Sequence, residues 1–109
     1  MKELVAKLRK VAPTYSFEAV QGKTAPYITY SLDESPIRTK SGIAGYEGTL
    51  SLAIYAASRE QCDTLVQRVV EALDRATCDG RRLYYASNSE VDYQDIGLVS
   101  KELSFNTLT

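Results

Sequence analysis

The chain has 109 residues, 44% of them hydrophobic and 25% charged, with a formal net charge of -1 at pH 7. That length makes a single domain, 1–109, able to bury roughly two thirds of the surface its unfolded form exposes, and the composition is that of an ordinary folded protein. The near-zero charge argues against a nucleic-acid binder that grips phosphates through clustered Lys and Arg, and no apolar run approaches the roughly 18–20 residues that cross a bilayer.

Met1 to Ala12 interleaves basic residues with Leu4, Val5, Leu8 and Val11, unlike the unbroken apolar centre of a secretory signal, so the chain is expected to stay in the cytoplasm. The same spacing predicts a short amphipathic helix over 2–12, stopped by Pro13. Tyr15, Phe17 and Ala19 then alternate with Ser16, Glu18 and Val20, which suits a strand ending near Gln21-Gly22. Tyr27 to Leu32 reads as a second strand with Ile28, Tyr30 and Leu32 on one face.

From Asp33 to about Gly45 the chain reads DESPIRTKSGIAG, where Pro36, Gly42, Gly45 and the polar content defeat both periodicities and predict a long loop. Tyr46 to Ala56 alternates, with Leu50, Leu52, Ile54 and Ala56 on one face. A loop of that length exceeds the usual two to five residues of a hairpin, and such excess commonly serves binding or assembly. With little core to bury, it is expected to be mobile until a partner orders it.

A helix is predicted over 58–76. Ser58 and Gln61 form a capping box, and Cys62, Leu65, Val66, Val69, Val70 and Leu73 make an apolar stripe opposite Asp63, Gln67, Arg68, Glu71, Asp74 and Arg75. Asp79-Gly80 predicts a turn, followed by strands over Arg82–Ala86, Glu90–Ile96 and Leu98–Phe105.

Catalytic chemistry finds little support. Histidine is absent, which removes the commonest general base and zinc ligand. No serine lies in a G-x-S-x-G elbow and no Gly-rich phosphate loop precedes a helix. The acidic stretch Glu90-Val91-Asp92-Tyr93-Gln94-Asp95 could hold a cation by its carboxylates, but the alternation of Glu90, Asp92 and Gln94 fits the wet face of an edge strand better. Cys62 on the helix stripe and Cys78 in the following turn read as packing residues, with no CxxC spacing. No catalytic, cofactor or metal residue is therefore assigned. The eight tyrosines all fall in or beside predicted strands. Adjacent Tyr84 and Tyr85 must point to opposite faces, an arrangement compatible with subunit packing.

The order of helix, strand, Ala25-Pro26-Tyr27-Ile28-Thr29, long loop, Gly48-Thr49-Leu50-Ser51-Leu52-Ala53-Ile54-Tyr55, Ser58-headed helix ending Glu71-Ala72-Leu73, Asp79-Gly80-Arg81-Arg82-Leu83 and Leu103-Ser104-Phe105 resembles the tail-terminator, or tail-completion, proteins of long-tailed bacteriophages and prophages. The resemblance covers roughly residues 13–105. It implies an α+β fold, an antiparallel sheet with a short N-terminal helix and one long amphipathic helix packed on it. It also implies a homo-oligomeric ring, of six copies, that closes the head-proximal end of the tail tube and meets the neck or head-completion protein. The family carries no catalytic residues or cofactor, and neither sequence-specific nucleic acid nor a membrane is an expected partner. Such a protein is assembled in the host cytoplasm and resides in the virion. Within the loop 33–48 the candidate contacts with the next subunit or the tube are Asp33, Glu34, Arg38, Lys40 and Tyr46. The alternative is a small ligand-binding regulatory domain, which would offer a Gly-rich turn or convergent polar groups.

Overall fold

The computed structural model describes residues 2–16, 25–89, 91–93 and 98–109. Helix α1 (Lys2–Arg9) is followed by strands β1 (Thr14–Ser16), β2 (Tyr27–Thr39) and β3 (Gly42–Ala56), helix α2 (Arg59–Leu73), and strands β4 (Thr77–Cys78), β5 (Arg81–Asn88), β6 (Asp92–Tyr93) and β7 (Val99–Leu108). The described strands form one sheet in the order β1-β2-β3-β7-β5-β4, with β6 also paired to β7. β1 runs parallel to β2 and every other described pair is antiparallel.

This corrects the expected fold class. The chain is mostly β, a curled mixed sheet with two short helices, and not an α+β antiparallel sheet carrying one long helix. The excess of strand comes chiefly from the stretch expected to be a loop. β2 continues to Thr39 and β3 begins at Gly42, so residues 33–48 are paired strand with only Lys40-Ser41 between them. The segment is thus paired strand in the single chain and not the expected loop. α2 ends at Leu73, the last residue of its apolar stripe, and not at 76 as expected. Asp74 (ψ 124°) leaves the helix and Arg75 has φ 63°, so the chain turns back towards β5 before residue 76.

The core lies between one face of the sheet and the helices. In β3 the buried Leu50, Leu52, Ile54 and Ala56 alternate with Thr49, Ser51, Ala53 and Tyr55, as a sheet with one covered face requires. α2 packs on β3, β7 and β5, bringing Cys62, Leu65, Val66, Val69 and Leu73 into one cluster with Leu83, Leu103 and Phe105. Its start meets the predicted capping box in part: Ser58 Oγ accepts from the Gln61 N–H (3.2 Å), whereas Gln61 Oε1 accepts from the Ala57 N–H (2.9 Å), one residue before the cap. α1 adds Leu4 and Leu8. It is anchored by Asp79, whose carboxylate accepts from the Glu3 and Leu4 N–H groups at 3.2 and 3.3 Å. Both cysteines are buried and free, and burial pushes their thiols above the ordinary value. At the far end of the β2–β3 pair, Tyr27 stacks on Tyr55 with ring centroids 4.7 Å apart. The expected strand after Ser16 and much of that over Glu90–Ile96 lie outside the described residues.

Val69 and Leu73 are both 0% exposed. Replacing either by Asp would leave an unpaired carboxylate in the core at a cost of several kcal/mol, comparable with the whole margin of a small domain. Both variants should lose the native circular dichroism spectrum and cooperative melting. A native melting point for Leu73→Asp would show that this face of α2 is not the buried one.

Candidate functional site

Two features of the sheet stand out from the core. The first is an arm. β3 ends its pairing with β7 at Glu47↔Leu108, yet β2 and β3 stay paired through Pro36↔Tyr46, Ile37↔Gly45, Arg38↔Ile43 and Thr39↔Gly42. Residues 36–46 therefore project as a two-stranded ribbon, and the molecule measures 52 Å along its long axis against 26 and 24 Å across. Thr109 clasps the root of the ribbon: its N–H donates to the Tyr46 carbonyl (2.9 Å) and its Oγ1 accepts from the Tyr46 N–H (2.8 Å). At the tip Thr39 Oγ1 accepts from the Ser41 N–H and donates to the Gly42 carbonyl. Gly42 takes φ 117°, a conformation that L side chains rarely adopt. Pro36, which has no N–H to donate, sits where β2 has β3 on one side only, the place where a strand tolerates proline.

The second feature is the sheet face turned away from the helices. Residues directly opposite one another across paired strands share a face, so the register lays out this surface row by row. Ser31, Ser51, Ser104 and Ser87 form one row across β2, β3, β7 and β5. Asp33, Thr49, Asn106 and Tyr84 form the next, and Ser35, Glu47, Leu108 and Arg82 the one nearest the arm. The curl of the sheet makes two grooves here. One, of about 530 Å³, lies over the serine row and reaches Glu102. The other, of about 580 Å³, lies beside the arm's root and is lined by Asp33, Ser35, Glu47, Thr49, Tyr84 and Leu108 among others. Among the described residues no group of three or more His, Cys, Asp or Glu side chains could hold a metal ion.

The five residues singled out from the sequence all lie on the β2–β3 hairpin, but not on one surface. Asp33 faces the open groove. Glu34, its neighbour, points to the opposite face, where its Oε1 accepts from Nε and Nη2 of Arg81 at 3.0 and 2.7 Å. The hydrogen bond from Arg81 holds the Glu34 carboxyl below the usual carboxylate range. Glu34 thus ties the hairpin to the start of β5. Arg38 and Lys40 are exposed near the tip, and Tyr46 is exposed at the root. Sequence reasoning missed Ile43 and Leu108, 53% and 44% exposed. An isoleucine alone in a Gly-rich polar run was the signal for the first, and nothing local marked the second. Tyr84 is exposed while Tyr85 packs edge-on against Phe105, with ring centroids 5.6 Å apart, as their adjacency demanded.

No protein family and no curated protein matches the chain. Among solved structures, it shares its fold with a chain of the virion of the native gene transfer agent (GTA) particle. The TM-score is 0.69 at 16% sequence identity, over 96% of this chain and 82% of that one.

The Glu34–Arg81 pair has a defined pH dependence. Because the folded pKa of Glu34 is depressed, the stabilisation is present above the ordinary glutamate pKa of about 4.3 and is lost as pH falls through the folded value. The side chains are 20% and 26% exposed, so Glu34→Gln should cost about 1 kcal/mol or less at pH 7, a melting shift of a few degrees. Thermal melts of both proteins should converge as the pH is lowered below 4. A gap that persists unchanged in acid would contradict the assignment.

Proposed function

We propose that this chain is a structural virion protein, a ring-forming tail terminator that closes the head-proximal end of a phage tail tube and joins it to the neck. The observation that carries the reading is the fold shared with a chain of the gene transfer agent virion over 96% of this chain and 82% of that one. The ordered sequence pieces from Ala25-Pro26-Tyr27 to Leu103-Ser104-Phe105 narrow it from a virion protein to a terminator. The function is then geometric. A ring of six closes when each subunit offers two different, complementary surfaces and the rotation between copies returns to the start. The projecting arm and the open sheet face are the two different surfaces that support this reading. Its partners are other copies of itself, the tube protein and a neck or head-completion protein, with assembly in the host cytoplasm and residence in the virion. In this reading Asp33, Arg38, Lys40 and Tyr46, all on the β2–β3 hairpin, make the contact with the next subunit or the tube. Glu34 serves that contact indirectly, by fixing the hairpin to Arg81.

The arm separates folding from assembly. Residues 38–44 are all exposed, so replacing Ile37–Ala44 by a short Gly-rich turn should leave the melting temperature within a few degrees. Tails assembled with that variant, or without the protein, should fail to join heads when viewed by electron microscopy. Joined, infectious particles from the deletion would overturn the role given to the arm. Normal joined particles in the complete absence of the chain would overturn the terminator reading.

A further inference from the structure

The large apolar side chains most exposed among the described residues fall into two groups. Ile43 and Tyr46 lie on the arm, and Tyr84 and Leu108 lie on the open sheet face. Charge divides the same way. Between Pro36 and Tyr46 the only charged residues are Arg38 and Lys40, both exposed. The groove at the arm's root carries Asp33 and Glu47 beside Tyr84 and Leu108, neither carboxylate has a hydrogen bond or ion pair with another described residue, and the one cation on this row, Arg82, stands outside the groove lining on the far side of Leu108. The arm thus pairs an apolar side chain with two cations, and the groove pairs apolar side chains with two anions.

We propose that this groove receives the arm tip of a second copy of the chain, with Ile43 seated against Tyr84 and Leu108, and Arg38 and Lys40 facing Asp33 and Glu47. The inference rests on the ring reading and names the two surfaces that would build the ring. A chain cannot fill its own groove, because from Asp33 to Thr39 the ribbon runs away from it for about 20 Å at roughly 3.4 Å per residue. The occupant is therefore a neighbour's arm. The contact is heterologous, tip to groove, and so propagates from copy to copy and closes only if the rotation permits. Opposite charges steer and register the encounter, and the central apolar contact excludes water from it.

The test uses the full chain, both as free protein at high concentration and within assembled tails. Reversing the tip (Arg38→Glu with Lys40→Glu) or the groove (Asp33→Lys with Glu47→Lys) should each weaken self-association about tenfold or more in sedimentation equilibrium, with native melting retained. Combining the four should restore it. Ile43→Cys with Leu108→Cys should give an intermolecular disulfide ladder on mild oxidation, while neither single variant should, since Cys62 and Cys78 are buried. Oligomers or tail-bound rings that form without this cross-link and ignore both charge reversals would overturn the groove contact and leave the terminator reading standing. A cross-linked ladder from a chain absent from tails would uphold the contact and overturn the terminator reading. A chain that stays monomeric at every concentration and is absent from tails would overturn both.

Discussion

The pairing of β2 with β3 is the constraint on which the rest of the molecule depends. β3 is bonded on both sides, to β2 from Tyr55 to Gly42 and to β7 from Ala56 to Glu47, and its inward row of Leu50, Leu52, Ile54 and Ala56 is the floor on which α2 rests. Near the place where the arm leaves the body, the pair leaves no room for a side chain at Gly48. A Cβ added to Gly48 would lie 2.1 Å from the Asp33 carbonyl oxygen and 2.9 Å from the Glu34 Cα, so any side chain there would force the strands apart. Core, arm and groove all inherit their geometry from that contact.

The two faces of the sheet follow different physics. One is dry and holds nearly all the apolar area, so its stability comes from burial against α2 and α1. The other carries rows of serine, threonine and asparagine with Asp33, Glu47 and Arg82, and the exposed Tyr84 and Leu108 beside them. The arm belongs to neither. An isolated two-stranded ribbon is marginal in water, and this one persists because it continues a larger sheet, with Thr109 clasping its base. Its free edges would invite indiscriminate strand pairing, a hazard that Pro36, Arg38 and Lys40 reduce. Ile43 at such a tip is 53% exposed and adds little to the core of the single chain.

How far the sequence foretold this follows from where each element is buried. α2 was legible because one face meets the core and the other meets water, which writes a helical stripe, and because Ser58 and Gln61 mark its start. The inward-facing part of β3 was legible for the same reason, with period two. The arm was not: with solvent on both faces of the ribbon, nothing selects alternating apolar residues, and Pro36, Gly42 and Gly45 read as loop although a paired edge admits the first and a tight turn requires the second. The parallel pairing of β1 with β2 is a matter of topology that no local pattern records. The candidate residues all fall on one element, the β2–β3 hairpin, which the sequence read as a loop. Arg38 and Lys40 are free at the tip, whereas the alternation of the newly recognised strand sends Asp33 to the open face and Glu34 to its bond with Arg81.

Density of the head-proximal end of an assembled tail tests the account most directly. The account predicts a closed ring of six copies of this chain, each with residues 36–46 extended as a paired ribbon reaching its neighbour. A tail end without the chain, a lone copy, or a ring whose arms are unpaired and turned away from the neighbouring subunit would contradict it.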